Sequence, residues 1–86
     1  MRQQVDVLVA FEAGSPYPRP VRFKLLVNGV KKAVDVSEIR DTKQLGAGGM
    51  SRIEYDCVSP GYNGPIEYTL MYYFQKAVWE IEIKGK

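Results

Sequence analysis

The 86 residues, with net charge +2, one cysteine and no histidine, have room for one folded domain around one modest core. A lone Cys57 excludes an internal disulfide, and with no histidine it excludes a zinc site built from several Cys and His ligands. The charge is too small to imply nucleic acid or membrane by itself, and six Tyr, three Phe and one Trp argue against disorder.

Residues 1–6 lack the apolar run of a signal peptide, and no stretch approaches the roughly 20 apolar residues of a spanning helix. A single cysteine fits a reducing compartment. These features set the expectation of a cytoplasmic, non-membrane domain over residues 1–86.

The first strand is read from Val5, Val7, Val9 and Phe11, which alternate with Asp6, Leu8, Ala10 and Glu12. Pro16, Pro18 and Pro20 follow within five residues, a density that predicts an extended connector rather than a central strand. Asn28-Gly29 then separates two alternating runs, residues 21–27 and 30–36. A two-residue type I′ turn needs positive φ at both central positions, and Asn-Gly suits it best. The turn sets Val27 opposite Val30, Phe23 opposite Val34 and Val21 opposite Val36, with Arg22 facing Asp35 on the other side. Lys32 falls on the inward row opposite Leu25, which requires either a snorkelling side chain or a nearby bulge.

A change of parity at residues 37–40 predicts a bulge or short turn, and residues 41–50, with Gly46, Gly48 and Gly49, read as a surface loop. The fourth strand covers residues 52–58, with Ile53, Tyr55 and Cys57 on one face and Arg52, Glu54 and Asp56 on the other. Residues 59–65 are dense in turn formers. A fifth strand over 66–74 and a sixth over 77–83 pair Tyr72 with Trp79, Leu70 with Ile81 and Tyr68 with Ile83 when closed at Gln75-Lys76. The predicted fold is therefore all-β: about six antiparallel strands in a meander, curved into a small barrel or rolled sheet. Its predicted core is Val7, Val9, Phe11, Val21, Phe23, Val34, Val36, Ile53, Tyr55, Cys57, Tyr68, Leu70, Tyr72, Trp79 and Ile81.

Chemistry is sparse. The absence of histidine removes the commonest general base and metal ligand. Cys57 reads as a small core residue. Glu54 with Asp56, and Glu80 with Glu82, are carboxylates two apart on one face, able to flank a bond or hold a hard cation but more simply a solvated surface. Gly46-Ala47-Gly48-Gly49 with Lys43 lacks the strand-before, helix-after context of a phosphate loop. Charge is segregated: Arg19, Arg22, Lys24, Lys31 and Lys32 crowd the first hairpin, while Glu54, Asp56, Glu67, Glu80 and Glu82 dominate the second half. Met71 and Tyr73 fall on the outer face of their strand, where they would form an exposed apolar patch.

Arg19-Pro20-Val21-Arg22-Phe23-Lys24, Asn28-Gly29 and Val34-x-Val36 together resemble the opening of a small uncharacterised bacterial β domain. That domain occurs alone and at the C-terminus of proteins similar to Y-family translesion polymerases. Ile53-Glu54-Tyr55-Asp56-Cys57-Val58, Tyr68-Thr69-Leu70-Met71-Tyr72 and Trp79-Glu80-Ile81 resemble its later strands, so the likeness covers about residues 5–83. Leu25 or Leu26 stands where that family often has Trp, and the Trp usual after the third strand is absent from residues 37–50. The resemblance implies a bacterial, intracellular accessory domain, lends some weight to nucleic acid by analogy, and brings no site residues.

The leading expectation is a non-enzymatic interaction or oligomerisation module, without cofactor or metal. It would dock on a protein, or on a second copy, through strand edges or the Met71/Tyr73 face. The alternative is a sequence-tolerant nucleic-acid binder using Arg19, Arg22, Lys24, Lys31 and Lys32, with Tyr17, Tyr62 or Tyr73 stacking on bases. A third reading is an enzyme built on the carboxylate pairs.

Overall fold

The computed structural model describes residues 2–48 and 51–84. Among these residues there are seven β-strands and no α-helix: β1 (Arg2–Ala10), β2 (Arg19–Val27), β3 (Val30–Asp35), β4 (Glu38–Leu45), β5 (Arg52–Gly61), β6 (Gly64–Tyr73) and β7 (Val78–Ile83). They form one antiparallel sheet in the order β3-β2-β1-β7-β6-β5-β4, strongly curled into a half-barrel.

The turns explain much of the local pairing. Asn28 and Gly29 have φ of 51° and 78°, as a type I′ turn demands. The pairs Val27–Val30, Phe23–Val34 and Arg22–Asp35 follow, and the Val36 amide donates to Val21 at 2.9 Å. Lys32 lies opposite Leu25 with no register shift between β2 and β3, so no bulge accounts for its place on the inward row, and its side chain is exposed. The β6–β7 pairs are those predicted, although the connection is a four-residue turn in which the Ala77 amide donates to the Tyr73 carbonyl at 2.9 Å.

Three expectations change. Residues 38–45 are a strand, not part of a loop, because a bulge between Ile39 and Asp41 resets the parity and hides the alternation. Of the predicted loop, Gly46 to Gly48 connect β4 onward, and residues 49 and 50 lie outside the described residues. Second, the strands do not form one sequential meander. Two hairpin series, β1-β2-β3 and β4-β5-β6-β7, are joined by Val36-Ser37 and zipped together by β1 pairing with β7, Val5 against Trp79 and Arg2 against Glu82. Third, Phe11 is 82% exposed: β1 ends at Ala10, and strand parity has no meaning beyond it. Pro20 enters the central strand β2 and is buried there, opposite Val9 where the β1–β2 register shifts.

Curling is forced by connectivity. Six interstrand spacings would separate β3 from β4 by about 29 Å in a flat sheet. The chain passes from Asp35 to Glu38 in three steps, about 11 Å at most. The two edges must therefore meet at that corner. The concave face carries the core: Val5, Phe23, Ile53, Tyr55, Cys57, Tyr68, Leu70 and Ile81, with Val7, Val34, Val36, Ile39 and Trp79 packed against them. The proline-rich connector crosses one end of this concavity. There the Tyr55 hydroxyl donates to the Pro18 carbonyl, and the Tyr17 hydroxyl donates to Gln44 Oε1 at 3.0 Å.

Candidate functional site

At the end of the half-barrel away from that connector, the concave face is not filled. A cavity of about 130 Å³ is walled by Phe23 and Leu25 of β2, Val34 of β3, Ser59 and Pro60 of β5, Ile66 and Tyr68 of β6, and Ile81 and Ile83 of β7. Phe23, Tyr68 and Ile81, each at most 2% exposed, form its depth; Ile66, 43% exposed, stands at its rim. Engineered apolar cavities of about 150 Å³ stay dry and accept a benzene ring. This cavity has the size of one aromatic or branched aliphatic side chain. A wider depression of about 400 Å³ beside Ser37, Glu38, Pro60 and Pro65 is shallow and open to solvent.

The cavity's only two hydroxyls satisfy each other. Ser59 Oγ donates to the Asp35 carbonyl at 2.7 Å, which uses its one proton. The Tyr68 hydroxyl, 2.6 Å away, is therefore the donor to Ser59 Oγ. Burial pushes the Tyr68 phenol up to about 12, against the lowering effect of the Ser59 bond, and holds it neutral. An apolar guest fits such a wall, because no buried polar group is left for it to match.

β3 borders this cavity, and among the described residues its far edge pairs with no other strand. In a two-residue hairpin the turn-flanking pair Val27–Val30 is hydrogen-bonded, and the bonded pairs then alternate. The amides and carbonyls of Lys31, Ala33 and Asp35 consequently point outward. The Asp35 carbonyl is taken by Ser59; those of Lys31 and Ala33 face the open edge.

The structure scatters the predicted binding residues. Arg22, Lys24 and Lys31 share the convex face, but Arg22 pairs with Asp35 at 2.6 Å and Lys31 with Asp6 at 3.6 Å. Arg19 pairs with Glu12 at 3.1 Å in the connector. Lys32 is on the concave row, at the cavity end, with no ion pair among the described residues. The five cations thus form no continuous basic surface. Tyr17 and Tyr62 sit on the connector and the β5–β6 turn, off the hairpin.

Met71 and Tyr73 lie on the convex face as expected but are not exposed: they retain 2% and 7% of their surface. Tyr73 folds along its own strand until its hydroxyl meets Met71 Sδ at 3.9 Å. Met71 lies between Glu54 and Glu80 in the ladder, whose partners Arg52 (2.7 Å) and Arg2 (3.9 Å) add aliphatic cover. The expected apolar patch is absent for this reason. The carboxylates are engaged in the same way: Asp56 accepts from Thr69 at 3.0 Å and faces Lys84, and Glu82 pairs with Arg2 at 2.8 Å. Cys57, 2% exposed, has its thiol pushed up to about 12 by burial and by neighbouring Asp56, so the thiolate needed for nucleophilic chemistry is suppressed.

Sequence reasoning missed the cavity because Leu25, Ile66 and Ile83 read as ordinary inward residues. Only the distance between β2–β3 and β5–β6 across the curl leaves space among them. Comparison with family models, with curated proteins and with solved structures finds no match for this chain.

Proposed function

We propose that this domain is a non-enzymatic protein-binding module that takes one apolar side chain of a partner into the open end of its half-barrel. The observation that carries this reading is the 130 Å³ apolar cavity whose hydroxyls are already bonded to each other. Magnitudes keep the claim modest. Burying one large apolar side chain contributes about 1.5–3 kcal/mol. Even a millimolar complex needs about 4 kcal/mol. The cavity is an anchor, and further contacts must surround it. The charge pattern favours this reading over nucleic acid, since three of the five candidate cations already face carboxylates.

The test is selection of random displayed heptapeptides on the folded protein, followed by methyl NMR. The expected result is enrichment of peptides sharing an aromatic or branched residue, which shift the methyl signals of Leu25, Val34, Ile66 and Ile83. Enriched peptides that shift only convex-face residues, or no enrichment at all, would sink the proposal. Oligonucleotide binding that collapses between 50 and 200 mM salt would favour the nucleic-acid alternative instead.

A further inference from the structure

The cavity and the free edge of β3 are adjacent, and their register specifies a partner. Resting on the cavity reading above, we infer that the domain pairs the β3 edge with an extended, acidic peptide segment, antiparallel, of the pattern apolar-x-(Asp or Glu).

Strand geometry supplies the pattern. Side chains two apart on a strand share a face. On β3, Val34 and Lys32 are such a pair on the concave side, and Val34 is a wall of the cavity. A segment laid antiparallel beside β3 sets one residue opposite Val34, where its side chain enters the cavity. The next residue stands opposite Ala33 and exchanges two backbone hydrogen bonds with its outward amide and carbonyl. The third stands opposite Lys32. The ammonium of Lys32, unpaired among the described residues, suits a carboxylate there. Lys31, on the same strand but the convex face, is already paired with Asp6 at 3.6 Å, so Lys32 is the charge that selects. A bare lysine on a short edge strand also discourages uncontrolled edge pairing, leaving an oppositely charged strand as the compatible guest.

The probes are capped heptapeptides centred on Phe-Thr-Glu, Phe-Thr-Lys and Glu-Thr-Phe, and a Phe-Thr-Glu peptide N-methylated at Thr or at Phe. Binding is followed by amide and methyl NMR with the whole chain. Phe-Thr-Glu is expected to bind at least fivefold more tightly than Phe-Thr-Lys and than the reversed peptide. N-methylation at Thr, which faces Ala33, is expected to abolish binding, whereas N-methylation at Phe, whose amide points away, is tolerated. Lys32→Glu, an exposed change that leaves the core intact, should invert the preference between the Glu and Lys peptides.

If the Phe peptides fill the cavity regardless of order, charge or N-methylation, the edge inference is overturned and the cavity reading survives. If none perturbs the cavity residues, both fall. Sedimentation showing a dimer that occupies the β3 edge without peptide would also overturn the inference, in favour of a second copy.

Discussion

Tyr55, Cys57 and Tyr68 sit side by side on the concave face, and burial pushes the acidity of all three to about 12. The ordinary values are 10.0 for the phenols and 9.0 for the thiol. Each group is therefore neutral in the folded protein while its unfolded counterpart ionises at lower pH. A raised folded value means stability that is complete below the unfolded value and is lost as pH rises toward the folded one. Stability is expected to hold to about pH 9 and to fall steeply between about 9 and 12. Urea unfolding at neutral pH, pH 9 and pH 11 tests this; an unchanged midpoint at pH 11 would contradict the burial of these three groups. Their inward orientation was legible from strand parity alone. The failure of parity at Phe11 is equally instructive, since one residue past the strand end the alternation predicts nothing.

Single residues also decide how elements turn. The β5–β6 connection is a two-residue loop, Tyr62-Asn63, between paired Gly61 and Gly64. Gly64, at φ +112°, supplies the positive φ that neither loop residue adopts. Gly61 is needed for a different reason: a Cβ there would lie 2.6 Å from Ile66 Cγ1 and 2.7 Å from the Gly64 carbonyl oxygen. The carbonyl belongs to the opposing strand and cannot swing aside. Gly61→Ala is expected to destabilise the protein by about 1–3 kcal/mol, the usual cost of overpacking, read as a lower denaturant midpoint. A midpoint shift equivalent to under about 0.5 kcal/mol, the size of an ordinary surface change, would show that the turn opens freely. The Asn28-Gly29 turn was readable in advance because its dipeptide names its own conformation. At the β5–β6 turn the turn formers Pro60, Gly61, Gly64 and Pro65 mask two strands that continue through them.

At the scale of the molecule, the half-barrel keeps its curl where β3 hands over to β4, and Ser59 is the bond across that corner. Its hydroxyl joins β5 to the Asp35 carbonyl of β3 and receives the Tyr68 proton from β6. Removing it by Ser59→Ala leaves the buried Tyr68 hydroxyl without its acceptor, at about 1–3 kcal/mol, and also releases the Asp35 carbonyl at the sheet edge. Tyr68→Phe leaves Ser59 still bonded to Asp35 and is expected to lose only about 0.5–1.5 kcal/mol, the net value of one hydrogen bond. The order of the two losses, measured by denaturant unfolding, is the discriminating result; equal losses would mean that the corner does not depend on Ser59. On the convex side, the same curl lets Arg40, inside the β4 bulge, reach Glu67 at 3.3 Å and Glu38 at 3.8 Å across the ladder row that holds Val58. Val58 is only 8% exposed as a result.

The all-β class, the Asn-Gly hairpin, the β6–β7 register and most of the inward row followed from the sequence by itself. Each rests on contacts between residues close in the chain, where period-two alternation and turn chemistry act directly. The β1–β7 pairing, the cover over Met71 and Tyr73, the dispersal of the basic residues over two faces and the cavity at the open end belong to the tertiary structure. β1 and β7 are brought together from opposite ends of the chain, and no local period encodes such a pairing. Whether an outward Met is bare depends on which long side chains lie over it. Whether an inward row is filled depends on how far the sheet curls, which two linking residues between β3 and β4 decide.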